Sequence, residues 1–188
     1  MQEIMVEAQA RRAFRALATE PVPRGDVELM ISAALLAPSC FNNQPWRFVA
    51  IDDKAVLAQL HTMLGKTNVW MTRTPLIIAV CSRRDLDCKQ SDGRDYFMFD
   101  CGMAVGLLMM QATRMGYVAH PVSGYNALKL KPLLGIPDDH ILVTLINVGR
   151  HGQDVSLLQD DQRERETGPR IRKPLEEVLS WNQFQFGG

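Results

Sequence analysis

The chain has 188 residues, 46% of them hydrophobic and 22% charged, which is ordinary globular composition. Lys plus Arg and Asp plus Glu number 21 each, so the formal net charge is zero. That balance excludes a generic polyanion binder and, with so many apolar residues, an intrinsically disordered chain. No window reaches the roughly 18 uncharged apolar residues of a membrane span, since Asp100 interrupts the nearest one, Tyr96 to Met110. Met1 to Ala10 carries two glutamates and no basic-then-apolar pattern, so a cytoplasmic protein without a signal peptide is expected. One domain over residues 1–188 follows from the length.

In chain order, Glu3 to Leu17 reads as a helix with Arg11, Arg12 and Arg15 in its last turns. Pro21 to Gly25 is a break. Val27, Met30, Ile31, Ala34 and Leu35 then recur at helical spacing, giving a helix from Asp26 to Ala37 that Pro38 ends. Arg47 to Ile51 reads as a strand. Leu57, Leu60 and Leu64 mark a helix closed by Gly65. Pro75 to Cys81 is a continuous apolar run suited to a strand buried on both faces. Asp95 to Met115 is the most apolar helix, greasy nearly all round, and belongs at the centre of the fold or of a dimer. Gly102 and Gly106 on it would allow close helix packing. Tyr117 to Pro121 is a strand, Leu128 to Leu134 a helix closed by Gly135, and His140 to Val148 the last core strand. Gln153 to Pro169 reads as a loop. Pro174 to Leu179 is a short amphipathic segment, and Trp181 to Phe186 an aromatic tail. Helices around a small sheet, an α+β layer, fit this order best.

Several chemistries are absent from the sequence. It holds neither G-x-G-x-x-G nor a P-loop, no H-E-x-x-H and no G-x-S-x-G. No metal site is expected. Cys40, Cys81, Cys88 and Cys101 show no C-x-x-C pair and read as reduced, mostly buried thiols. A Cys40 nucleophile with His120 as base has no support in the spacing.

Two clusters carry the positive signal. Arg11, Arg12 and Arg15 lie at one end of the chain, and Arg170, Arg172 and Lys173 at the other. Apart they are solvated faces; if they converge, forked guanidinium donors suit a phosphate monoester. The segment Ala37 to Trp46 concentrates amides and a hydroxyl between prolines. It is either a capped helix end followed by Asx turns or a set of groups that read a heterocycle edge.

With these residues in view, the chain resembles the nitroreductase family of FMN-dependent oxidoreductases. Arg11-Arg12-Ala13-Phe14-Arg15 and Ala37-Pro38-Ser39…Asn42…Gln44-Pro45-Trp46 carry the likeness. It continues through His120-Pro121-Val122-Ser123-Gly124, Ile146-Asn147-Val148-Gly149 and Arg172-Lys173-Pro174-Leu175. The resemblance implies a three-layer fold, a mixed but mainly antiparallel sheet flanked by helices, in an intertwined homodimer with FMN at the subunit interface. It implies that Arg11, Arg12, Ala13 and Arg15 approach the phosphate, ribityl chain and ring edge. Pro38, Ser39, Asn42 and Gln44 would contact FMN, partly from the partner subunit. Pro121, Val122, Ser123 and Gly124 would run along the flavin, and Arg170 and Arg172 would close on the phosphate, with Arg150 a possible addition. Ala13 stands where the family motif has serine, and Arg150-His151 where relatives often carry an aromatic residue and proline.

The implied reaction is ping-pong: NADH or NADPH reduces FMN, and a small electron-poor acceptor such as a nitroaromatic or quinone reoxidises it. No side chain is assigned as an obligate acid or base. Trp70, Tyr96 and Phe97 either cover the substrate face or pack in the core or the dimer. The alternatives are an FMN-binding protein without efficient turnover, and a flavin-fragmenting or dehalogenating relative.

Overall fold

In the computed structural model, which describes residues 3–186, the strand β2 (Leu76–Ser82) is buried at all seven positions. It pairs antiparallel on one side with β1 (Arg47–Ile51) and on the other with β4 (Ile141–Gly149), whose far edge takes β3 (Val118–Val122). All three pairings are antiparallel, so the parallel component of the expected mixed sheet has no counterpart among the described residues.

The alternation of β2 divides the interior into two cores, because successive side chains point to opposite faces. Leu76, Ile78 and Val80 pack with Ile146, Val148 and Trp46 under the helices α2 (Arg24–Ala34) and α4 (Tyr96–Arg114). Ile77, Ala79 and Cys81 pack with Leu145 and Ile51 under α3 (Lys54–His61) and α5 (Ala127–Leu133). The three-layer expectation holds, as does each core strand.

Local chemistry sets the ends. Asp53 caps α3 by accepting from the amides of Ala55 and Val56 at 2.8 and 3.0 Å, and Asn126 caps α5. Gly135, at φ +65°, follows α5 in the left-handed region that favours glycine. On α4, Phe97, Cys101, Ala104, Val105, Leu108 and Ala112 form the buried stripe, whereas Met98, Phe99 and Leu107 face outward. Nothing lies within 4 Å of where a Cβ would stand on Gly102 or Gly106, so the close helix packing expected there is not made within one chain.

Two elements depart from the sequence reading. The first helix, α1, spans only Val6–Ala10, and Arg11 to Leu17 run extended. The segment expected to be loop, 153–169, contains the helix α6 (Asp160–Thr167). Its inward residues are Gln162 and Glu166, so no apolar period marks it. α6 is held by its capping box and by the Gln162 side chain donating to the Thr67 carbonyl at 2.8 Å. Likewise α3 stops at His61, because Leu64 turns away to bridge Tyr125. Among the described residues, no helix is long and apolar enough to cross a membrane.

Leu108, fully buried between α4 and the sheet, should lose about 2–5 kcal/mol of unfolding free energy on replacement by alanine. A urea melt of Leu108→Ala reads this as a lowered midpoint with the native secondary structure retained.

Candidate active site

The helix α1 closes with the Arg11 amide on the Glu7 carbonyl, and the chain beyond it is held by a distant carboxylate. Glu166 on α6, 4% exposed, accepts from the amides of Arg15 at 2.9 Å and Ala16 at 3.0 Å. Amides committed to that carboxylate cannot close helical bonds to carbonyls four residues back, so the chain stays extended. The Ala18 amide then bonds the Arg150 carbonyl and the Gly152 amide bonds Ala16, laying this segment along the exit of β4. Phe14 stacks on His151 at 3.9 Å, and the His151 ring reaches Glu166 at 3.2 Å.

The C-terminal segment folds back over the same place. Arg12 donates to the carbonyls of Arg165 and Gly168 at 2.9 and 2.8 Å, and Arg170 donates to Ala8 at 3.2 Å and to Arg11. The two arginine clusters therefore converge. They enclose a cavity of about 390 Å³ lined by Arg11, Arg12, Arg15, Arg165, Arg170 and Arg172, with Ala13 and Phe14 between them.

The electrostatics of this cavity are unbalanced. Burial lowers the pKa of Arg11, and the neighbouring charges of Arg170 and Arg172 lower it further. Burial also lowers that of Arg15, where Glu166 compensates in part. Among the described residues, no carboxylate forms an ion pair with Arg11, Arg170 or Arg172. Three such cations around a cavity suit a dianionic phosphate, which would relieve their repulsion with charge-assisted hydrogen bonds. The donor set fits the phosphate end of FMN.

β3 meets this segment through His120, 6% exposed, whose Nδ1 lies 3.0 Å from the Phe14 carbonyl. Burial first, then the nearby Arg15 and Arg11, push the His120 pKa down to about 4, although the bond to Phe14 opposes them. At neutral pH the ring is uncharged, and Nδ1–H donates to the carbonyl. The Trp70 ring lies 4.9 Å from His120 and 6.0 Å from the Arg15 guanidinium. Pro121 and Val122 finish β3. Ser123 and Gly124 follow as exposed chain, with the Gly124 carbonyl accepting from the Gly65 amide at 3.1 Å and from the Asn68 side chain at 3.0 Å.

The loop after Pro38 lies elsewhere. The Cys40 amide donates to Asp100 at 2.8 Å, the Asn43 side chain to Asp87 at 3.2 Å, and the Ser82 hydroxyl to the Pro45 carbonyl at 2.9 Å. Ser39 Oγ accepts from the Gln44 amide, and the Gln44 side chain donates to Asn42. These contacts put Ser39, Asn42 and Gln44 beside the Ser82 end of β2. The arginine segment lies at the other end, where Gly149 packs on Pro75 and on the Ala18 carbonyl. The strand separates them by roughly 20 Å at 3.3 Å per residue, and none of the loop residues lines the arginine cavity.

Four readings concern residues that do not line this cavity. Arg150 does not join the cavity: its guanidinium donates to the carbonyls of Met115 and Gly116 at 3.2 Å each and lies 4.3 Å from the Tyr117 ring, closing the end of α4. Trp70 and Phe97, 2% and 1% exposed, are core residues and not a substrate cover; Tyr96 is half-buried. Cys40 and Cys88 are joined as a disulfide, leaving Cys81 and Cys101 as the buried free thiols, each pushed up to about 11 by burial. With Cys40 bonded and His120 committed to Phe14, the pair is no nucleophile and base. Sequence reasoning missed Glu166, His151 and Arg165. Arg165 lay within reach of the cluster argument, whereas Glu166 sits in a polar run without a motif.

An antiparallel sheet between helical layers thus carries an arginine-lined cavity at one end. The chain belongs to the nitroreductase family, whose profile matches residues 8–67 and 56–150. An NADH dehydrogenase of Thermus thermophilus is 25% identical over 209 residues, covering 93% of each chain. An iodotyrosine deiodinase of Nematostella vectensis is 22% identical over 206 residues, covering 94% of this chain and 74% of that one. A solved structure described as an oxidoreductase containing FMN superposes with a TM-score of 0.86 at 30% identity, covering 99% of this chain and 95% of that one.

The His120 environment fixes a pH dependence. Because the folded pKa lies near 4 and the unfolded one near 6.5, the unfolded chain binds more protons between these values, so stability falls as pH drops through that window. The full loss is about 3 kcal/mol, at 1.36 kcal/mol per unit. Urea melts at pH 7 and pH 4 should show wild type losing that much more than His120→Gln, which keeps a donor for Phe14.

Proposed function

We propose that this protein is an FMN-dependent NAD(P)H oxidoreductase that reduces small electron-poor acceptors, nitroaromatics and quinones among them, in alternating half-reactions. The observation that carries the reading is the arginine cavity without a paired carboxylate around Arg11, Arg170 and Arg172. FMN, when bound, supplies the redox chemistry by accepting a hydride from the nicotinamide and passing it on. Arg11, Arg12, Arg170 and Arg172 hold the phosphate. Arg15, next to Trp70 and His120, is the cation placed to offset negative charge on a reduced ring. Pro121 to Gly124 present backbone along the ring; the bond from Phe14 to His120 sets the register between that backbone and the arginine segment. His120, uncharged at neutral pH, adds no further cation there.

The working form we propose is a homodimer. Ser39, Asn42 and Gln44 lie at the far end of β2 from the arginine cavity, so a site using both groups draws them from two copies of the chain. The apolar surface supports this reading: Phe41, Phe99, Trp181 and Phe184 are 90%, 57%, 77% and 84% exposed. Four large aromatic side chains open to solvent are what association with a second copy would cover.

The visible spectrum of the purified protein, before and after anaerobic NAD(P)H, tests the function. The expected result is a flavin spectrum that bleaches and returns on adding a quinone. Bands that persist would leave a flavin-binding protein, and halide release from iodotyrosine a dehalogenase. Arg11→Ala and Arg170→Ala should each weaken FMN binding about 10–100-fold, the value of a hydrogen bond to a charged group. Phe99→Asp should lower the dimer fraction in light scattering and FMN affinity together. Monomers that bind FMN normally would overturn the two-copy site.

A further inference from the structure

We infer that Cys40 and Cys88 form a thiol–disulfide exchange site, open to small dithiols, whose oxidised form holds the Pro38–Trp46 loop in its ligand-binding shape. The coupling to flavin rests on the reading of that loop as part of the FMN site; the exchange chemistry does not.

The placement of the two cysteines supports exchange. Their Cα atoms are 6.2 Å apart across 48 residues of chain, within the range a disulfide spans. Both are half-buried, within reach of a small reagent, whereas Cys81 and Cys101 are closed off. The surroundings favour the reduced form as well. Asp87 Oδ2 and Asp100 Oδ1 are buried without a hydrogen-bond partner, and Cys88 Sγ lies 3.4 Å from Asp87 Oδ1. Reduction gives Cys88 an S–H donor within reach of the Asp87 carboxylate, and stabilising the dithiol makes a disulfide easier to reduce.

The loop gives the bond its consequence. Phe41, Asn42 and Gln44 stand at φ +48°, +58° and +49°, left-handed backbone that non-glycine residues adopt at a cost. Three strained residues within four positions persist only while the surroundings hold them. The disulfide is one holder; the Cys40 amide on Asp100 and the Asn43 side chain on Asp87 are the others. Asp87 also takes the Cys88 amide at 2.8 Å, so both sides of the bond converge on one carboxylate. Opening the bond removes the covalent holder and lets the loop relax.

In the exchange, one thiolate of a dithiol attacks a protein sulfur, the S–S bond breaks, and a mixed disulfide forms. The second reagent thiol displaces the protein, which leaves with two thiols while the reagent departs as a cyclic disulfide. Two electrons and two protons pass to the cysteines.

Iodoacetamide labelling of the denatured, unreduced protein, read by intact mass, tests the site. Two labelled cysteines are expected before dithiothreitol treatment and four after it. FMN titration of native, unlabelled protein before and after dithiothreitol treatment should show affinity about tenfold weaker after reduction and restored by oxidised dithiothreitol. Cys88→Ser, which lies outside the loop, should bind like the reduced protein and ignore dithiothreitol; Cys88→Ala, checked by circular dichroism, guards against misfolding. Four labelled cysteines without reductant, or a stoichiometric metal held by both sulfurs, would overturn the exchange site. Equal FMN affinity in both states would overturn the coupling. No FMN binding in either state would instead sink the flavin reading, with the labelling count still judging the exchange site.

Discussion

Burial of β2 on both faces is the constraint from which the other features follow. A strand with no solvent face must be covered by a helical layer on each side, and its alternation decides which side chains serve which core. Being central, it also holds its two ends at a fixed distance. The arginine segment is anchored at the Leu76 end and the amide-rich loop at the Ser82 end. Both groups are well ordered within one chain, yet one chain cannot bring them together.

Glu166 is the second constraint. A buried carboxylate needs donors, and here they are two backbone amides and an imidazole. Satisfying it takes the Arg15 and Ala16 amides and fixes the segment whose arginines line the cavity. The positive charge of that cavity is met in part by Glu166, beside Arg15. The loop at the far end follows the same logic with opposite sign: Asp87 and Asp100 take its amides and hold a strained backbone in place.

The sheet and its helices were legible because apolar period is a local signal. The continuous run of β2 and the buried stripe of α4 gave boundaries within a residue or two of those observed. Arg11, Arg12, Arg15, Arg170 and Arg172 were legible as charge clusters, but not their shape. Ala, Leu and Arg all favour helix, and only a carboxylate about 150 residues away overrides them. α6 escaped notice because what it buries is Gln162 and Glu166. The pairing of Cys40 with Cys88 has no spacing rule behind it, and nothing local in the sequence tells that the Arg150 guanidinium bonds the carbonyls of Met115 and Gly116.

The bond from Glu166 to Arg15 spans 151 residues of sequence. Contacts so distant along the chain form late, since the loop they close is large and its entropy must be met first. During synthesis Arg11 to Arg15 emerge about 150 residues before Glu166, so the arginine segment has no carboxylate to anchor it until α6 has been made. A chain cut before Asp160 would keep both hydrophobic cores and lose Glu166, Arg170 and Arg172, so the arginine cavity depends on residues 160–172 although neither core does.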